Sequence, residues 1–431
     1  MKYFFNPKSV ALIGASDKKG SVGLGICRNL LEGEKRRKIF FVNPNKKRIL
    51  SKKSYSKIGD IKEKIDLAVI AVPAKIVKGV VKDCAQKKVK RVVIISSGFA
   101  ETGEWKRQKE IKDILKKSNI PLLGPNCLGV IKPSFNLNAT FSPGTPKKGR
   151  VAFVSQSGAL LDSIIDKSLS EDYGFSALVS LGNSADLGFS DFLEELEKDP
   201  QTKAIALYIE GLKEGKRFIE TAQRIKKPIV ALKGGVTPFG KMAVGSHTAS
   251  LAGEKEIYSA AFRKGGIFEV ETINDLLNSS FALANLSSCE NSVGILTNGG
   301  AIGVLLADWC WKFGIKLAEK MSFPNPWDIL GDALSEDYRR AGQKMLREKK
   351  IKGLIFVQTL QIMTEVEKNA KVIVELGKRH PQKPIIALFL GGEKTKVGVD
   401  ILKKNSIPCL SESREAALVL KALIERNNFL K

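Results

Sequence analysis

One pattern occurs twice in the C-terminal two thirds of the chain, and it restricts the fold more than any other feature. Gly149-Arg-Val-Ala-Phe-Val-Ser-Gln-Ser-Gly-Ala-Leu-Leu161 parallels Asn291-Ser-Val-Gly-Ile-Leu-Thr-Asn-Gly-Gly-Ala-Ile-Gly303. Lys203-Ala-Ile-Ala-Leu-Tyr-Ile-Glu-Gly211 parallels Lys352-Gly-Leu-Ile-Phe-Val-Gln358. The stretch Lys227 to Gly235 parallels Lys383 to Gly392. The order is the same in both series. Each begins with a short apolar run, a turn of small residues and a helical pattern, which reads as strand, turn, helix. Two copies of one α/β unit, each built on a parallel sheet, account for this.

The first third follows the same logic without the repeat. Ser9–Gly14, Lys38–Asn43, Asp66–Val72, Arg91–Ser97 and Ile120–Leu123 read as buried strands, with helical segments between them. The expected class is therefore α/β throughout. Residues 1–146, 147–288 and 289–431 make three α/β domains, the first doubly wound and the other two copies of one unit. The connector holding Pro133, Pro143, Gly144 and Pro146 sets the first boundary.

In open α/β sheets, ligands sit outside the carboxyl ends of the strands. The turn after the first strand, Gly14-Ala-Ser-Asp-Lys-Lys-Gly20, is a stretched variant of the dinucleotide fingerprint, whose backbone N–H groups aim at an anion. No acidic residue closes the second strand. Asn43 and Lys46 stand there instead, which suits a phosphate better than a ribose diol and argues against NAD. In the repeated units, Ser155-Gln-Ser-Gly158 and Asn298-Gly-Gly-Ala301 open helices and are two further anion-seeking helix starts.

His247, one of two histidines, lies in Gly245-Ser-His-Thr-Ala-Ser-Leu-Ala-Gly253, read as a loop, with a helical run following from Glu254. Such an imidazole can transfer protons, bind metal or attack phosphorus, or simply be a solvated loop side chain. No cluster at ligand spacing surrounds it, so no metal site is expected. His380, in Lys378-Arg-His-Pro381, reads as ordinary surface at a helix end. The six cysteines form no CxxC pair, which fits reduced thiols in a cytoplasmic protein. Neither a signal-peptide core nor an 18-residue apolar run is present, so no membrane role is expected. The net charge of +26 would suit nucleic acid or anionic partners. The basic clusters fall at presumed helix ends and turns without interleaved aromatics, which points to solvated surface rather than nucleic acid.

Assembled, these pieces resemble the α subunits of ADP-forming acetyl-CoA synthetases, in the succinyl-CoA synthetase superfamily. The motifs that carry the likeness are Gly14-Ala-Ser16, Val72-Pro-Ala74, Gly124-Pro-Asn-Cys127, Ser155-Gln-Ser-Gly158, Tyr208-Ile-Glu-Gly211, Ser246-His-Thr248 with Ser250-Leu-Ala-Gly253, and Asn325-Pro326 with Asp328 and Gly331-Asp-Ala333. The resemblance implies a Rossmann-like first domain followed by two flavodoxin-like, doubly wound domains, the first binding coenzyme A through Gly14, Ser16, Asp17, Lys18, Gly20, Lys46, Val72, Pro73, Ser96, Ser97, Gly98 and Asn126. It implies that His247 is phosphorylated, that Glu210 orients its ring, and that Ser155, Gln156, Ser157, Gly158, Asn298, Gly299 and Gly300 hold phosphate.

An ATP-grasp β subunit, in an α2β2 heteromer, would bind ADP or ATP with Mg²⁺, since no such domain is legible here. The implied reaction converts acyl-CoA, ADP and phosphate to acid, coenzyme A and ATP. A non-catalytic CoA-binding regulator of the same fold is the alternative. Three departures stand out: Ala249 where glycine is usual, Gly300-Ala-Ile-Gly303 in place of a turn richer in glycine and proline, and a short, helix-free stretch between Leu317 and Asn325.

Overall fold

The structure is a computed structural model that describes residues 2–171, 174–248 and 254–430; for 244–248 only the backbone is described. The chain divides into two compact units, Met1–Glu269 and Val270–Lys431.

The first unit holds two sheets. The first contains β1 (Ser9–Ile13), β2 (Lys38–Val42), β3 (Arg48–Ile49), β4 (Lys52–Tyr55), β5 (Leu67–Ile70), β6 (Arg91–Ile94) and β7 (Leu122–Leu123), in the order β3-β4-β2-β1-β5-β6-β7. All pairs are parallel except β3 with β4. Strands β1 and β5 are buried along their whole length, as apolar runs covered by helices on both faces must be.

The second sheet contains β8 (Gly129–Lys132), β9 (Leu137–Thr140), β10 (Lys147–Ser155), β11 (Gly174–Ser180), β12 (Ala204–Ile209), β13 (Ile229–Lys233) and β14 (Ile267–Val270), in the order β14-β13-β12-β10-β11-β8-β9. From β10 onward the order is the flavodoxin-like 2-1-3-4-5. The hairpin β8–β9 adds an antiparallel extension on β11. The change of sheet therefore falls at Gly129, ahead of the proline-rich connector. A hairpin leaves no βαβ signature, which is why strand-helix alternation passes over it. Gly129 has φ +119°, and a Cβ there would lie 2.1 Å from the Ala139 carbonyl oxygen, so the close approach of the two strands requires glycine. One apolar cluster joins both sheets, from Val10, Leu12 and Leu67 to Val154, Leu207 and Phe192, with Phe4 and Phe5 against Phe192. This shared core makes residues 1–269 a single unit.

The second unit carries β15 (Val293–Thr297), β16 (Trp327–Asp328), β17 (Gly353–Gln358), β18 (Ile385–Phe389) and β19 (Cys409–Leu410), all parallel, in the order β16-β15-β17-β18-β19. This is again 2-1-3-4-5, so the repeat in the sequence is a repeat of topology. The expected α/β class, Rossmann-like then twice flavodoxin-like, holds. The stretch 317–325 carries no helix. Asn325 fixes its end: the side chain accepts from Ile295 N at 2.9 Å and donates to the carbonyls of Val293 and Ala318 at 2.9 and 3.1 Å. Among the described residues no helix is long and apolar enough to cross a membrane.

Candidate functional site

At the carboxyl edge of the first sheet, the turn after β1 is set by two glycines. Gly14 has φ +98°, and a Cβ on it would sit 2.1 Å from the Ala71 carbonyl oxygen beyond β5. Gly23, in the first turn of the following helix (Val22–Leu31), leaves room for the Gly14 carbonyl, which a Cβ would approach to 2.3 Å. Ser21 caps that helix, accepting from Leu24 N at 3.2 Å, and its hydroxyl donates to the Lys18 carbonyl at 2.7 Å. Ser16 accepts from Lys18 N at 3.0 Å. Gly20 has φ +75° and open space around it. Lys46, beyond β2, reaches Asp17 and holds its carboxyl below the usual range, mainly through their hydrogen bond.

Val72 and Pro73 follow β5. The Ser96 hydroxyl ties them to the end of β6: it donates to the Val72 carbonyl at 2.5 Å and accepts from Val72 N at 3.1 Å. Asn126 N donates to the Ser96 carbonyl at 3.0 Å. The amides of Gly98 and Phe99 are held by Glu101, whose other oxygen accepts from Asn183 at 2.5 Å in the turn after β11. Ser97 lies between these fixed points on the same rim. The structure thus gathers every residue expected to contact coenzyme A along one sheet edge and wires that edge to the second sheet.

The second sheet carries the next turn. After β10, Ser155 Oγ donates to the Ser157 carbonyl at 2.7 Å and accepts from Ser157 N at 3.0 Å. Ser157 caps the helix Gly158–Glu171 by accepting from Leu160 N at 3.2 Å. Gln156, buried, turns sideways to the end of β12. Its carbonyl oxygen accepts from Glu210 N at 2.6 Å and Gly211 N at 3.0 Å, and its NH₂ donates to the Gly211 carbonyl at 2.8 Å. The Gln156 amide is therefore engaged at both ends by main chain, and it positions the Glu210 turn. Glu210 is 6% exposed. This junction of β10 and β12 is the topological switch point of the sheet.

Three residues that pattern reading passed over complete the setting. Tyr208 stands on β12, two residues before Glu210, with its phenol beside that carboxylate. Burial first, then the neighbouring Glu210 carboxylate, push the phenol up to about 12. Lys233, ending β13, donates to the Glu210 carbonyl at 3.0 Å and also to the Gly234 carbonyl. Its ammonium lies 4.6 Å from the centre of the Tyr258 ring, and the Tyr258 hydroxyl accepts from Leu212 N at 3.0 Å. Lys233 is visible in the aligned repeat, as a lysine closing an apolar strand where the other copy has Phe389.

His247 belongs by its backbone to the helix Pro238–Thr248, where a loop was expected. Thr237 starts that helix, accepting from Gly240 N through its hydroxyl at 3.1 Å and from Lys241 N through its carbonyl at 2.8 Å. The His247 side chain lies outside the described residues, as do Ala249 and Gly253. The helix packs on the short turn Ala100–Thr102, beside the Ser96–Gly98 rim.

In the second unit, Thr297 and Gly299 repeat the Ser155–Ser157 exchange at 2.9 and 3.0 Å. Asn298 accepts from Thr359 N at 2.7 Å and donates to the Thr359 carbonyl at 3.1 Å. Gly300 opens the helix Gly300–Lys312. His380 follows the helix Val366–Arg379, and burial, then Lys383, Arg347 and Arg379, hold its imidazole below the usual range. Among the described residues no group of three or more His, Cys, Asp or Glu could hold a metal ion.

Fold and site together define a chain with a CoA-type Rossmann layer and a ligase-type flavodoxin layer. Residues 8–133 match the family described as CoA binding domain, and 148–283 match the succinyl-CoA ligase like flavodoxin domain. The α subunit of ADP-forming acetate–CoA ligase II from Pyrococcus furiosus is 40% identical, over 99% of this chain and 98% of that one. The ADP-forming acetate–CoA ligase of Methanocaldococcus jannaschii is 43% identical over 95% of this chain, which spans 60% of that protein. A solved structure of the dinucleotide-forming acetyl-coenzyme A synthetase 1 of Ca. Korarchaeum cryptofilum, in complex with phosphate and ADP, aligns with a TM-score of 0.94 at 33% identity, covering 99% of this chain and 97% of that one. The chain belongs to the family of ADP-forming acetate–CoA ligase α subunits.

Proposed function

We propose that this chain is the acyl-transferring half of a reversible ADP-forming acyl-CoA synthetase, with acetate as the default acid. Phosphate attacks the thioester carbonyl of an acyl-CoA, the C–S bond breaks, and acyl phosphate and coenzyme A result. A ring nitrogen of His247 then attacks the phosphorus, the P–O bond to the acyl group breaks, and the acid leaves. Phosphohistidine finally gives its phosphoryl group to ADP. Glu210 accepts the N–H of the other ring nitrogen, fixing the tautomer and stabilising the positive charge that develops.

The turn at Ser155–Gly158 supplies backbone N–H groups for a phosphoryl group whose charge is spread over its oxygens, and Asn298–Gly300 is a turn of the same kind within the second unit. Coenzyme A lies along Gly14–Gly20, Lys46, Val72–Pro73, Ser96–Gly98 and Asn126. The domain limits near 146 and 288 belong to the same reading. ADP, with Mg²⁺ for its phosphates, is assigned to an ATP-grasp β subunit in an α2β2 assembly in the cytoplasm. The greater length of the Methanocaldococcus relative favours such a second component. No side-chain set among the described residues suits a metal here.

The observation that supports the reading best is the clamped Glu210 turn at the switch point, one strand away from the strand that leads into the His247 helix. The ligase names of the relatives favour the enzyme over a CoA-binding regulator. The test is incubation of the chain and its partner with γ-labelled ATP and Mg²⁺. Acid-labile, base-stable label that disappears in His247→Ala is expected. Label that persists in that variant, or no label with active partner present, would remove the phosphohistidine.

A further inference from the structure

The two flavodoxin-like copies correspond strand for strand, and this exposes a trio of coupled differences. In the register of β10 with β12, Ser155 faces Tyr208; in that of β15 with β17, Thr297 faces Val357. The next residues but one are Glu210 and Thr359. Each donates its backbone N–H to the amide side chain of the turn, Gln156 or Asn298. On the neighbouring strands Ile209 faces Lys233, and Gln358 faces Phe389. Where the first copy has Tyr, Glu and Lys, the second has Val, Thr and Phe.

The fold therefore does not need a cation at the end of this strand: Phe389 fills the same place and is 2% exposed. A buried ammonium is costly unless it is paired and hydrogen-bonded. Lys233 is 5% exposed, and the groups it meets are the Glu210 carbonyl, the Gly234 carbonyl and the Tyr258 ring. Burial lowers its pKa, and the Glu210 charge opposes that, with Lys241 adding to the lowering. Tyr208 is accommodated by Gly234, where a Cβ would come within 2.6 Å of the phenol oxygen.

We infer that Lys233 and Tyr208 are positioning residues of the phosphoryl-transfer site: together they hold Glu210 as a charged, oriented carboxylate. The ammonium offsets the negative charge at the buried turn and pins its backbone through the Glu210 carbonyl, while the phenol beside the carboxylate limits where it can turn. This inference rests on the role proposed for Glu210.

The experiment is a double-mutant cycle on the complete α–β enzyme, following the single-turnover rate of phosphohistidine formation and the KM for coenzyme A and acid. Lys233→Met and Tyr208→Phe are each expected to slow phosphohistidine formation about 10- to 100-fold, with both KM values unchanged. In a Glu210→Gln background neither should slow it further, because both act through the carboxylate. Equal losses in both backgrounds would overturn the inference, as would a loss that tracks a fall in melting temperature or unchanged rates in the single variants. Should Lys233→Met not fold, Tyr208→Phe, which removes one oxygen, decides by the same cycle. A full rate in Glu210→Gln itself would instead overturn the proposed role of Glu210.

Discussion

The two flavodoxin-like copies share strand order, the hydroxyl-to-backbone exchange at the turn and the amide clamp beyond it, yet they differ in the side chains set around that clamp. Gln156 and Asn298 do the same mechanical job, tying the end of the first strand of each sheet to the end of the third. What the clamp presents differs: a carboxylate with a lysine and a tyrosine beside it in one copy, a threonine hydroxyl held by the neutral amides of Asn298 and Gln361 in the other. The scaffold and the chemistry are thus separable. The scaffold is a set of satisfied backbone groups, and the chemistry is three side chains set on it.

The separation can be broken most sharply by making the first copy resemble the second. Glu210→Thr should lower phosphohistidine formation about a thousandfold while leaving the melting temperature within a few degrees, measured on one preparation. A folded variant with near-normal transfer would show that the carboxylate is not what distinguishes the copies. The reverse graft carries a stability cost. Phe389→Lys places an ammonium where no carboxylate answers it and should destabilise the second unit by about 3 kcal/mol in urea unfolding.

The clamps come next in size. Gln156→Ala and Asn298→Ala each leave buried main-chain groups unpaired and should each cost about 2 kcal/mol of stability. Only Gln156→Ala should also slow transfer, and equal rate losses would argue that both turns serve the reaction directly.

The last effect concerns thiols, vanishes at neutral pH and is common to both units. Burial raises Cys84, Cys127, Cys289 and Cys310 to about 12 and Cys27 to about 11. In the unfolded chain these thiols ionise near 9, so above that pH the unfolded state binds fewer protons and gains. Stability should be unaffected below pH 8 and decline between about 9 and 12, by at most ~1.4 kcal/mol per pH unit for each thiol, in pH-dependent urea melts.

Most of the architecture was legible because buried parallel strands are short apolar runs, and Val10–Ile13, Leu67–Ile70 and Val293–Thr297 are unambiguous in that respect. The rim residues were legible for a related reason: strand ends in such sheets face ligands, and the turns there are small or glycine-bearing. The hairpin 129–140 was not, because its pairing is antiparallel and its sequence mixes Lys132, Pro133, Ser134 and Asn138 into what reads as a connector. Nor was the start of the His247 segment, where Thr237 caps a helix whose glycine and serine content suggests a loop. Lys233 stands out only against Phe389 of the other copy. In a chain with 71 lysines and arginines, one more at the end of a strand looks like surface until its burial is known.

The hairpin on β11 has a practical consequence for anyone wishing to cut this protein apart. A fragment ended near 146 would carry two strands torn from their sheet, with Val130 and Ile131 and a row of open backbone groups offered to any neighbour. The remainder would lose the cover on one flank of β11. Scissors belong after Glu269, and a gene divided ahead of that point should yield insoluble halves.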